Sequence, residues 1–434
     1  LYDWRQQEQI KENPMRTFSM ISKILPMRQR AEVIHQLLKQ RLAELMLPAM
    51  RASGIDCWLI LCQEDNLDPV FTTLIPMDTW CPILQILVFF DRGDDGLDAI
   101  NISGTNTRDL YHRPYTGQIE AEQWPLLMKI IEERAPQRIA INIGSIQWAA
   151  GGLTHNLYQQ LVAHLPVQYT QRLVSAEPLA VRWLSTLTSA DIEMYEHVCA
   201  VAHDVMAECY SRQSILPGHT TLDDLMWSYW QRCADLGFPM AFKPSYRILR
   251  RPALRAHHDP ADRVIRTGDL LHCDVGFQYL RFNSDHQHLA YVLQPGEQDA
   301  PLGLRQLLAE GNRLQEIYMA AFEPGLSGNQ LLQASLQSAQ RAGIPNPRIY
   351  SHSVGLFLHE PGPLIGLPWE QERCTGRGDV TLDYNSCFTM ELSVRAPVAE
   401  WDGEEVQLPL EEVVVFEHTG CRPLAGRQTK FHLV

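Results

Sequence analysis

GDLLHCDVGFQYLRFNSDHQHLAY, running from Gly268 to Tyr291, sets two aspartates in strand-like surroundings of Leu, Val, Phe and Tyr. Asp274 and Asp285 stand 285 − 274 = 11 positions apart. Taking an ionised carboxylate out of water costs several kcal/mol unless something compensates it, and a bound cation is the usual compensation. Folded back as a hairpin with its turn between Phe277 and Phe282, the segment is expected to set the two carboxylates opposite each other on one face. That turn carries neither Gly nor Asn, so the hairpin rests on alternation alone. An isolated Asp more often sits solvated in a turn, and further ligands are needed before a metal is implied.

Three more groups of the same chemistry follow. His352 lies in Tyr350-Ser351-His352-Ser353-Val354-Gly355, with His359-Glu360-Pro361 seven positions on. Glu391 lies in Cys387-Phe388-Thr389-Met390-Glu391-Leu392-Ser393, where alternation puts Phe388, Met390 and Leu392 on one face and Glu391 with Thr389 on the other. Glu411 precedes Glu412-Val413-Val414-Val415-Phe416, a strand too apolar at its far end to lie wholly in water. Singly, each has a plain alternative: a loop histidine, a salt-bridge partner, a strand-edge charge against aggregation. Together they make four carboxylates and one imidazole on strand-like segments. Such oxygen-rich ligation suits a two-metal site holding Mn²⁺, Fe²⁺, Co²⁺ or Zn²⁺, with Mn²⁺ favoured. Cys273 points to the face opposite Asp274 and reads as core.

The 434 residues suffice for two or three domains and a large core. With 45% hydrophobic and 20% charged residues, the composition is that of a soluble globular protein. The net charge of 37 − 51 = −14 argues against a nucleic-acid partner, which would need a basic face. No apolar run approaches the roughly 20 residues of a membrane span. The ten cysteines are scattered, without a CxxC pair, which suits buried free thiols and favours a cytoplasmic over a periplasmic or secreted setting. Leu1 is not an initiating methionine, which leaves room for an upstream segment and the compartment unassigned.

Residues 1 to about 50 read as one long amphipathic helix, with Ile34, Leu37, Leu38, Leu42, Leu45 and Met46 at helical spacing. Strands are expected at Cys57–Cys62, Leu84–Phe90, Leu97–Ile102 and Arg138–Ile143, with a helix over Trp124–Glu133, a mixed α/β pattern. Helices over Ile192–Arg212, Leu222–Leu236, Leu302–Phe322 and Ser327–Ala342 alternate with antiparallel strand pairs, an α+β pattern. Trp227, Tyr229 and Trp230 read as core packing, and Gly376-Arg377-Gly378-Asp379 as an ordinary charged turn.

In their order and spacing, with the HxxxxxxHE run at 352–360, Asp274, Asp285, His352, Glu391 and Glu411 resemble the ligand set of the dinuclear metallopeptidases of the pita-bread fold. That family includes methionine aminopeptidase, prolidase and Xaa-Pro aminopeptidase. The resemblance covers roughly residues 190–434. The preceding α/β segment looks like the amino-terminal domain of the creatinase, prolidase and Xaa-Pro aminopeptidase branch, which methionine aminopeptidases lack. An α/β amino-terminal domain over residues 1–185 and a pita-bread catalytic domain over residues 186–434 are therefore expected.

The resemblance implies two divalent metal ions: Asp274 chelating one, Asp285 and Glu411 bridging both, His352 and Glu391 completing the shell of the other. It makes Glu391 a proton shuttle. His257, 274 − 257 = 17 positions before the first aspartate, and His359 become histidines that contact substrate and steady the tetrahedral intermediate. It implies hydrolysis of proline-containing peptides at an Xaa-Pro bond by a hydroxide held between the cations, and a homodimer. Two departures stand out. His286-Gln287-His288 follows Asp285 where the family places an Ile-Thr-Arg-like run, so Gln287 replaces a threonine that orients a ligand. Leu392-Ser393-Val394-Arg395 follows Glu391 where Pro-Gly is common on the substrate side. The alternative class is a non-catalytic pita-bread module that binds a partner, which the intact ligand set opposes and Gln287 keeps open. A metal-free hydrolase like creatinase predicts substitutions at the acidic positions, and there are none.

Overall fold

Six apolar residues from Cys57 to Cys62 suit a strand covered on both faces. They form β1 (Cys57–Gln63), the centre of a five-stranded sheet with β2 (Leu84–Asp91), β3 (Leu97–Asn101), β4 (Ile139–Ile141) and β5 (Leu173–Ser175) in the order β3-β2-β1-β4-β5. β1, β2 and β3 pair antiparallel, while β4 and β5 run parallel to β1. The computed structural model describes residues 20–259 and 261–434, and two compact units divide at Ala190. The first holds this sheet with helices α1 (Met27–Arg41), α2 (Leu47–Ala52), α3 (Pro69–Thr73), α4 (Gln123–Arg134), α5 (His155–His164), α6 (Val167–Thr170) and α7 (Glu177–Ser185). A π-helical turn, Leu42–Met46, joins α1 to α2 in one continuous rod with a widened turn; the helix read over residues 1 to about 50 begins only at Met27, after a 3-10 turn at Met20–Lys23 and the extended Pro26, and its part before residue 20 lies outside the described residues.

The second unit repeats one plan, a helix pair followed by antiparallel strands. α8 (Ser189–Cys209) and α9 (Leu222–Asp235) precede β6 (Ser245–Leu249), the short α10 (Pro252–Arg255), β7 (Leu270–Val275), β8 (Gln278–Tyr279), β9 (Phe282–Asn283) and β10 (His286–Tyr291). α11 (Leu302–Ala320) and α12 (Gly328–Arg341) precede β11 (Arg348–His352), β12 (Leu364–Ile365), β13 (Ser386–Thr389), β14 (Glu391–Val398), β15 (Glu404–Leu410), β16 (Val413–Glu417), β17 (Gly420–Pro423) and β18 (His432–Leu433). Capping boxes at Thr221 with Asp224 and at Ser327 with Gln330 start α9 and α12 by satisfying their first free N–H groups. The strands form sheets ordered β18-β10-β7-β6, β12-β11-β14-β15 and β13-β16-β17, and α11 and α12 contribute Leu304, Leu308, Leu314, Leu331 and Leu332 to the buried core.

The aspartate segment is a hairpin, but its register differs from the expected one. β7 and β10 pair antiparallel with Asp274 opposite Gln287, so Asp285 lies two residues along from the partner of Asp274, a diagonal neighbour on the same face. The cause is the turn: Tyr279 pairs with Phe282, leaving Leu280 and Arg281 as a two-residue loop with φ of +52° and +70°. Both angles lie in the left-handed region that such tight hairpin turns require, at a cost of roughly 1–2 kcal/mol for a residue with a side chain. Gly276 is needed beside it, because a Cβ there would lie 2.2 Å from the Ser284 carbonyl oxygen.

Trp227 corrects the core reading, since it is 61% exposed and stacks on Trp230, whereas Tyr229 is buried. All ten cysteines are free. Arg377 of the charged turn donates to the Glu360 carbonyl and Asp379 pairs with Arg373. No helix among the described residues is long and apolar enough to cross a membrane.

Candidate metal centre

β10 is buried along its whole length although it opens with His286, Gln287 and His288. Buried polar atoms require partners, and alternation sends them to two sides of the strand. Gln287 turns toward the aspartate face. Its Nε2 donates to Glu411 Oε2 at 2.8 Å, and its Oε1 accepts from His272 Nε2 at 2.8 Å. Gln287 and Glu411 also exchange both backbone N–H···O bonds at 3.2 Å, which fastens β10 to the residue that follows β15.

Around this junction the second unit gathers its acidic residues. Ligand atoms of Asp285, His352 and Glu411 lie within 4.8 Å of one another, and His352 Nε2 is 3.6 Å from Asp285 Oδ2. The carboxyls act on one another strongly. Burial lifts the Asp274 carboxyl to about 6, and burial together with the charge of Asp274 lifts that of Glu391 to about 7. Asp285 and Glu411 are pushed well above the usual carboxylate range, by burial first and then by the other carboxylates. Such a cluster is costly without positive charge. Glu411 Oε1 is buried and accepts no hydrogen bond. An orphaned acceptor among mutually repelling carboxylates fits a divalent cation better than any neutral occupant.

His352 is prepared for the same task. Its Nδ1–H donates to the Ser353 carbonyl at 3.0 Å, which leaves Nε2 as the lone-pair nitrogen on the Asp285 side. Its backbone N–H donates to Thr389 Oγ1 at 3.2 Å, and burial, with His359 adding to it, lowers the imidazole to about 3. The ring is therefore neutral, the form that binds a metal. The His359 ring stands 4.5 Å from that of His352, centroid to centroid, at its more exposed rim. His257 is placed differently: it is exposed after α10 and does not line the cleft over Asp274.

That cleft, of about 870 Å³, has Asp274 and Glu391 in its wall together with Arg247, Tyr350, Ser393 and Arg395. Ser393 and Arg395 come from the segment where the sequence departs from Pro-Gly, and Ser393 Oγ accepts from Gln407 Nε2 at 2.9 Å. The hairpin is pinned to the histidine loop as well, since Asn283 donates to the carbonyls of Gly355 and Leu356. Sequence reasoning missed His272 and the supporting role of Gln287. Their shared signal is spacing by two along paired strands, which places His272, Asp274, Gln287 and Asp285 on one face.

The model of metallopeptidase family M24 matches residues 193–420, more than half of the chain. No curated protein matches it. Among solved structures, the X-Pro aminopeptidase from Thermotoga maritima is 17% identical, with 89% of this chain and 100% of that one covered at a TM-score of 0.63. The Xaa-Pro dipeptidase from Bacillus anthracis is 14% identical, covering 94% and 99% at 0.56, and the prolidase from Pyrococcus furiosus is 16% identical, covering 89% and 99% at 0.53. At such identities the likeness speaks for the fold. On the family match and these folds, the chain belongs to metallopeptidase family M24, a hydrolase whose pita-bread domain follows an α/β amino-terminal domain.

Proposed function

We propose that this chain is a dinuclear-metal exopeptidase that cleaves peptides at an Xaa-Pro bond, working as a homodimer with Mn²⁺ as its preferred ion. Residues 1–185 would form the amino-terminal domain and residues 186–434 the catalytic one. Asp274, Asp285, His352, Glu391 and Glu411 would hold the two ions, with Asp285 and Glu411 shared between them. When bound, such ions polarise the scissile carbonyl and supply a deprotonated water near neutral pH. Glu391, in the cleft wall, would take up that water's proton and pass it to the leaving amine. His359, beside His352, would steady the oxygen of the tetrahedral intermediate, and His257 would reach substrate from its exposed loop. Gln287 would keep Glu411 oriented by its 2.8 Å bond.

The observation that carries the reading is the meeting of Asp285, His352 and Glu411 donor atoms within 4.8 Å, with Asp274 and Glu391 electrostatically joined to them. A titration of the chelated protein with Mn²⁺, paired with hydrolysis of Xaa-Pro and Xaa-Ala peptides, tests it. Two ions per chain and preference for proline are expected. Absence of bound metal refutes the enzyme chemistry, and equal cleavage of both peptides refutes the proline assignment.

A further inference from the structure

The far face of β10 carries a second group of metal-binding side chains. His286 and His288 project there, α8 supplies His203, and Glu412 arrives from the segment that places Glu411 on the near face. Glu412 is buried. Its Oε2 lies 2.8 Å from His203 Nε2 and 3.9 Å from His286 Nε2. Its Oε1 accepts from the Gln428 N–H at 2.8 Å and lies 3.1 Å from His288 Nε2. One donor atom each from His203, His286 and Glu412 falls within 4.8 Å of the others. The His286 ring is 1% exposed, and its Nδ1 has no hydrogen-bond partner.

We propose that His203, His286 and Glu412 form a further metal site, separate from the carboxylate cluster, which binds one Zn²⁺ in a four-coordinate shell completed by water. Two imidazoles and one carboxylate are a zinc ligand set, whereas the near face, with four carboxylates to one imidazole, suits Mn²⁺. Donors bonded to tetrahedral zinc stand about 3.4 Å apart, between the two distances observed from Glu412 Oε2, so small side-chain movements suffice. The second carboxylate oxygen is already held by Gln428 and His288, which leaves Oε2 as the ligand atom. His203 is 21% exposed at its side chain and provides the entry path.

The test uses the full chain, stripped with chelator, loaded with excess Mn²⁺ and titrated with Zn²⁺. Expected are one Zn²⁺ per chain beyond any that exchanges with Mn²⁺ and an anomalous peak at the zinc edge bonded to His203 Nε2 and Glu412 Oε2. His203→Phe should lose this zinc and keep its manganese, and Asp285→Asn should keep the zinc. Crystals of the zinc-loaded parent with no anomalous peak at His203 and Glu412, or zinc that occupies this position in His203→Phe as in the parent, overturn the proposal. Should no manganese bind, the exopeptidase reading fails, while the zinc peak in parent crystals still decides this one.

Discussion

Replacing Asp274 by Asn is expected to stabilise the metal-free protein and to abolish its stabilisation by metal. In the fold the Asp274 carboxyl is lifted from 3.8 to about 6, chiefly by burial, with Arg247 opposing the rise. A carboxyl whose folded value is raised favours the protonated acid. Its contribution to stability is complete below the unfolded value and is lost as pH climbs through the folded one. Two pKa units at 1.36 kcal/mol each amount to about 3 kcal/mol of lost stability between about pH 4 and 7. Asparagine keeps the shape and removes the charge, but its amide needs partners, so a net gain of about 1–3 kcal/mol is expected near pH 7.5. Urea unfolding with chelator, for parent and variant at about pH 4.5 and about pH 7.5, gives the difference at both ends of the window. The advantage of Asp274→Asn should be small at the acidic end and grow toward the neutral one. With Mn²⁺ at a hundred times its Kd, the parent gains about 2.7 kcal/mol and the variant far less. An advantage that stays flat or shrinks with pH refutes the reasoning.

Gln287→Met retains bulk but removes both hydrogen bonds, to Glu411 and from His272. Calorimetric titration should show Mn²⁺ affinity falling about 10–100-fold. His359→Ala should lower kcat/KM for an Xaa-Pro peptide about 100-fold with metal content unchanged, as measured by elemental analysis. Arg250 makes a bidentate pair with Asp269 at 2.7 and 2.8 Å, and Asp269 is fully buried, so Arg250→Met should cost about 3–5 kcal/mol in urea unfolding. Ile83 is a β-branched residue at φ +50° and 43% exposed, so Ile83→Gly should relieve about 1 kcal/mol of backbone strain and raise the melting temperature.

Long apolar patterns were the most legible part of the chain. The runs at Cys57 and Leu84 and the helical spacing from Leu302 and Ser327 became β1, β2, α11 and α12 because burial demands little beyond the correct period. β5, three residues long and half-exposed, has no pattern to read and exists only because β4 offers it a parallel edge. The hairpin shows where local reasoning ends. Alternation located it, but Leu280 and Arg281 carry no turn signature, and the loop position set the register that moved Asp285 from opposite Asp274 to a diagonal place. Asp285, His352 and Glu411 stand out in the sequence by residue type, and the structure brings their donor atoms within 4.8 Å of one another. Gln287 looked like a defect in that chemistry, and only its distances to Glu411 and His272 show it as a brace. The histidines beside Glu412 were passed over, since nothing in one dimension says that residue 203 meets residue 412.

Glu411 and Glu412 are adjacent in the chain yet address opposite sides of β10. Rotating that dipeptide to draw one carboxylate inward swings the other outward, in the manner of a see-saw. The pivot is held by the two bonds between Gln287 and Glu411 and by Met390 N–H donating to the Glu412 carbonyl at 2.7 Å. A substitution that turns this dipeptide is therefore felt on both sides of β10, whereas a change confined to His203 or to Asp285 leaves the pivot in place.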